Sequence, residues 1–87
     1  MGVKGNRKEN KLLWGATKKE DKIQNSGWSD DAITPTGKIL YRLYYDNDRK
    51  GVYLLDVVNG VTYEVPLGDK AKGYTIASKL FSKYLKD

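Results

Sequence analysis

The chain holds neither histidine nor cysteine, which removes the imidazole and thiolate groups that most general-base, nucleophilic and zinc chemistry requires. Carboxylates remain. The best spaced lie in Asp46-Asn47-Asp48-Arg49-Lys50-Gly51, which opens like a calcium loop, with acids first and third and glycine sixth. The fifth place is Lys50, and Val57 stands where an EF-hand needs its final carboxylate, so the stretch reads as a polar hairpin loop. Gly37-Lys38 lacks the earlier glycine of a phosphate-binding loop, because Ala32 holds that place. Asp56, the one carboxylate amid strand residues, reads as a hydrogen-bonded structural group opposite Tyr63 and beside Tyr41. The expectation is a non-enzyme with no catalytic residue, no metal and no cofactor.

Cations and aromatic rings are the other chemistry on offer. Sixteen basic residues face eleven acidic ones, for a net charge of +5, and seven residues are tyrosine. Residues 1–22 carry seven of the cations and three acids. Lys4, Arg7, Lys8 and Lys11 form one cluster, and Lys18, Lys19 and Lys22 a second. Cations along a flexible segment neutralise phosphates, and aromatic rings beside cations stack on unpaired bases. Arg42, Tyr44 and Tyr53 fall on one side of the strands described next, and Lys79 and Lys83 on the outer side of a C-terminal helix. Together with Lys4, Arg7, Lys8, Lys11, Lys18 and Lys19 they are the candidate nucleic-acid-binding residues.

The elements that must position them begin with Ile39 to Leu67, the one stretch with unbroken strand character. Asn59-Gly60 between valines predicts a two-residue type I′ turn, since both central residues of that turn need positive φ. Counting outward sets Asp56 against Tyr63, Leu54 against Val65 and Val52 against Leu67. The longer turn at 47–50 pairs Asp46 with Gly51, which places Leu43 against Leu54. One side of the sheet then carries Ile39, Tyr41, Leu43, Tyr45, Val52 and Leu54. The other carries Leu40, Arg42, Tyr44, Tyr53, Leu55 and Val57. Pro66 cannot donate a ladder bond and marks an edge or an end.

From Thr75 onward, Ile76, Leu80 and Tyr84 form one helical stripe and Ala77, Phe81 and Leu85 its neighbour. Asp69 and Thr75 are the candidate N-caps. The fold class is therefore α+β: a three-stranded antiparallel βββ meander packed on one C-terminal helix, preceded by a basic, largely flexible arm. Residues 1–37 read as arm and turn-rich linker, and residues 38–87 as the βββα domain. Val52, Leu54, Val65, Leu67, Leu80 and Phe81 are the expected core. So small a core leaves the Tyr44/Tyr53/Leu55 face wanting a cover, with Trp14 and Trp28 favoured and a second copy of the chain, as a homodimer, or a different molecule as the alternatives.

No apolar run approaches membrane-spanning length, the N-terminus lacks the apolar centre of a signal peptide, and Asn6 replaces the Ser or Thr of a myristoylation signal. These point to the cytoplasm and away from membranes. The favoured function is nucleic-acid binding, DNA or RNA, through the basic arm and the Tyr/Arg sheet face. The alternative is a small protein-binding inhibitor or adaptor of the phage or mobile-element type, docking through the second sheet face or a strand edge.

Overall fold

A computed structural model describes residues 11–86. It has one antiparallel five-stranded sheet in simple meander order: β1 (Leu13–Ala16), β2 (Ser26–Ile33), β3 (Ile39–Asp46), β4 (Gly51–Asp56) and β5 (Val61–Glu64), followed by α1 (Lys70–Lys86). The α+β class with one C-terminal helix holds, but the sheet has five strands, not three. The two additional strands come from the stretch read as arm and linker. Ser26-Gly27-Trp28-Ser29-Asp30-Asp31 has poor strand propensity, and tertiary partners override it. Asp31 receives an ion pair from Arg42 and a hydrogen bond from Thr17, while Asp30 takes Lys70 at 3.1 Å.

The β3–β4 register is the expected one, from Asp46 against Gly51 through Leu43 against Leu54. The β4–β5 register is not. Asp56 pairs with Val61 and Leu54 with Tyr63, a slip of two residues that preserves the faces but lengthens the loop to residues 57–60. The Asp56 carboxylate explains the slip: it accepts the Asn59 backbone N–H at 3.0 Å and the Asn59 side-chain amide at 2.9 Å. Gly60 closes the loop at φ 70°, donating to the Asp56 carbonyl. The preceding hairpin repeats this construction, with Asp46 accepting from the N–H groups of Asp48 and Arg49 and Lys50 at φ 56°.

The slip sets Val65 beside Val52, to whose carbonyl it donates at 2.9 Å. Pro66 then starts a 3-10 turn in which Leu67, at φ 60°, is 92 % exposed rather than in the core. Asp69 caps α1 by accepting the Ala71 N–H on its side chain. Val52, Leu54, Val65 and Phe81 form the core with Leu43, Tyr41, Ala32 and Ala77, and Leu80 packs against it.

Two bulges re-aim side chains. Between Ala32 and Ile33 the register gains Leu40 on β3, so Leu40 joins Tyr41 on the α1 side, 1 % exposed, instead of lying with Arg42 and Tyr44. A second bulge lies in β2 between Ser26 and Ser29. Neither tryptophan covers the outer face as expected. Trp14 meets the Tyr74 ring of α1 edge-on at 4.7 Å, and Lys70 sits 4.5 Å over Trp28, so both lie on the helix side. Val57 lies in the turn with its side chain exposed, although its N–H still donates to the Leu40 carbonyl of β3 at 3.0 Å.

At Gly73, α1 lies tight against the sheet: a β-carbon there would overlap the Leu43 side chain, which is fully buried. Gly73→Ala should therefore destabilise by about 1–3 kcal/mol through overpacking, against the gain of about 1 kcal/mol expected in an open helix. Thermal unfolding checks this, with Gly15→Ala as a neutral control because nothing lies within 4 Å of its site. Gly60→Val should cost about 1–2 kcal/mol, the usual left-handed penalty.

Candidate nucleic-acid interface

The residues expected to contact nucleic acid do not converge on one surface. Lys4, Arg7 and Lys8 lie outside the described residues. Lys11, Lys18 and Lys19 are exposed. Lys18 and Lys19 follow Thr17, whose hydroxyl bonds Ser29 and Asp31, both at 2.7 Å, on the sheet face away from α1. Lys79 and Lys83 are exposed on α1, on the opposite side of the molecule.

The outer sheet face groups Arg42, Tyr44 and Tyr53 as the alternation requires, yet its two most useful members are engaged. Arg42 grips Asp31 through Nε at 2.7 Å and Nη2 at 3.1 Å, and the two side chains are 12 % and 4 % exposed. The hydrogen bond to Asp31 raises the Arg42 pKa, desolvation opposes it, and the charges of Asp31 and Asp21 add to it. Tyr44 is 5 % exposed, and its phenol pKa is raised by burial first and by Asp46 second. Only Tyr53 keeps a half-open ring, with the Tyr44 ring at 6.1 Å and the Arg49 guanidinium at 5.2 Å. Glu64 is exposed beside it. Cation and carboxylate thus cancel on this face, and little ring surface is free for stacking.

The helix is different. The α1 sequence holds five lysines and no carboxylate, whereas the described residues before it carry nine acids and eight cations. At 3.6 residues per turn, Lys72, Lys79, Lys83 and Lys86 fall within an arc of about 60°, spread over about 21 Å of axis. That arc points away from the buried Gly73, Ala77 and Phe81. Lys70 stands on the other side and is neutralised by Asp30, which raises its pKa. Among the described residues Lys72, Lys79 and Lys83 form no ion pair. The row adds Lys72 and Lys86 to the expected Lys79 and Lys83, and the place of Lys72 seven residues before Lys79 is the signal that could have found it. Thr75, Ser78 and Ser82 lie exposed along one flank of the row.

Compared with protein-family models, with curated proteins and with solved structures, the chain matches none of them. No helix among the described residues is long and apolar enough to cross a membrane, and no group of three or more potential metal ligands occurs among them.

If Arg42 serves the fold, Asp31→Ala should cost about 3–5 kcal/mol, because it strands a shielded guanidinium. The double variant Asp31→Leu/Arg42→Met should recover most of that loss. Chemical denaturation measures both, and nucleic-acid affinity of the double variant should match that of wild type.

Proposed function

We propose that this protein binds nucleic acid, and that the outer lysine row of α1 supplies the main phosphate contacts. The observation that carries the reading is the charge separation: the positive excess between residues 11 and 86 sits on one helix, on a line with no acid in it. Over about 21 Å a duplex presents on the order of twelve phosphates, so each of the four lysines has a partner within reach. The exposed Ser78 and Ser82 hydroxyls beside the row suit phosphate oxygens, whereas the Thr75 hydroxyl donates to the Ala71 carbonyl. The outer sheet face keeps a secondary role through Tyr53 and Arg49, on which an unpaired base can stack, and the arm cations Lys4, Arg7, Lys8 and Lys11 add phosphate contacts of their own.

A protein partner is the second reading, favoured by one observation. Val57, Val58 and Val61 are 38 %, 50 % and 43 % exposed at the β4–β5 turn, beside the free edge of β5. A partner strand added there would be held by apolar contacts and main-chain bonds, with little response to salt.

Salt titration separates the two. The four lysines of the row contribute about −3.6 to the slope of log K against log salt on duplex DNA, and the arm cations steepen it further. Lys79→Gln/Lys83→Gln should reduce that slope by about two and weaken binding to all sequences alike. Absence of binding at low salt would leave the partner-strand reading in its place.

A further inference from the structure

A cleft of ≈ 290 Å³ opens between the C-terminal half of α1 and the β4–β5 turn, lined by Leu40, Tyr41, Asp56, Asn59, Tyr63, Leu80, Lys83 and Tyr84, with Val58 at its edge. Its size matches the smallest ligand pockets, about 300 Å³, enough for one planar heterocycle. Its charge is layered. The floor carries the Asp56 carboxylate, 6 % exposed, whose oxygens each accept one bond from Asn59 and retain lone pairs for more. The rim carries the cation Lys83, of the lysine row, and Lys38 stands outside the lining, on the wall residue Tyr84, 3.4 Å from its hydroxyl and 5.9 Å from its ring centre.

This layering discriminates among ligands. A simple anion would meet the Asp56 carboxylate at the floor, and a simple cation would be repelled by Lys83 at the rim and Lys38 outside it. A nucleotide satisfies both layers, with phosphate outside and a base edge bearing N–H groups inside. The walls fit as well, since Leu80 is apolar and the Tyr84 ring is steadied by stacking on Phe81 at 6.1 Å. The hydroxyls of Tyr41 and Tyr63 make no hydrogen bond to other described residues. Burial first, then the charge of Asp56 and the neighbouring Tyr84 and Tyr63, push the Tyr41 pKa up to about 12, so that hydroxyl remains a donor.

We propose that this cleft receives a single unpaired nucleobase, and that Asp56 selects guanine by accepting its N1–H and N2–H groups. The assignment rests on the nucleic-acid reading above and adds the identity of the base. Thymine and uracil, with one N–H between two carbonyl oxygens, oppose the carboxylate. Lys83 links the two features, lying both on the phosphate-binding row and on the cleft rim.

The test compares wild-type binding to an oligo-dT strand, to the same strand with one central dG, and to duplex DNA. The single dG should tighten binding about tenfold, the lower end of what one bidentate base contact provides. Asp56→Asn should abolish that preference while leaving duplex affinity and its salt slope unchanged. Because Asp56 also holds the turn, Leu80→Trp serves as an independent variant that fills the cleft and keeps the carboxylate, and it too should lose the dG preference. A preference that survives Leu80→Trp places the base elsewhere and overturns the proposal. Equal binding of both strands, with duplex binding intact, overturns the pocket alone. No binding to any of the three overturns the phosphate-binding reading as well.

Discussion

The approach of Gly73 to Leu43 is the contact on which the arrangement of this molecule turns. With no β-carbon at Gly73, α1 settles against the centre of the sheet, and Ala77 and Phe81 follow into the core one and two turns later. That fixes the rotation of the helix about its axis. Once the Gly73/Ala77/Phe81 line faces inward, Lys72, Lys79, Lys83 and Lys86 have no direction left but outward. The same rotation brings Leu80 and Tyr84 over Tyr41 and Leu40, which forms the cleft. Packing geometry thus sets both the lysine row and the pocket beside it.

A second constraint is polar. Asp31 is nearly inaccessible and accepts from Thr17 on one side and Arg42 on the other. A charge in that position is tolerated only with good partners, and these partners lie on β3 and just after β1. The network stitches β1 and β2 onto the central hairpin. It also withdraws Arg42 from any ligand, which is why a residue suited to phosphate contributes to architecture instead.

The central hairpin was legible in the sequence because its alternation is strong: Leu43 against Leu54 and Asp46 against Gly51 both follow from counting. The helix was legible from its 3.6-residue stripe. What escaped were features set by side-chain hydrogen bonds or tertiary partners. Asn59-Gly60 looked like a two-residue turn, yet the Asp56 carboxylate favours a four-residue loop by satisfying Asn59. Asp30 and Asp31 argued against a strand until Lys70, Thr17 and Arg42 answered them. The bulge at Leu40 has no local signature, and it carried Leu40 to the helix face. Of the candidate site, the helix lysines were visible by spacing, whereas the cleft joins Asp56 to Tyr84 across 28 positions of sequence and could not be read from a local pattern.

The central claim is that nucleic acid meets the outer side of α1 rather than the outer sheet face, and amide chemical-shift mapping tests it most directly. Titrating isotope-labelled protein with a short duplex at low salt should move the amide signals of Lys72, Thr75, Lys79, Ser82, Lys83 and Lys86 together, with little change at Tyr53, Leu55 or Thr62. Shifts concentrated on Tyr53, Leu55 and the Lys18–Lys22 connection, with α1 silent, would contradict the account.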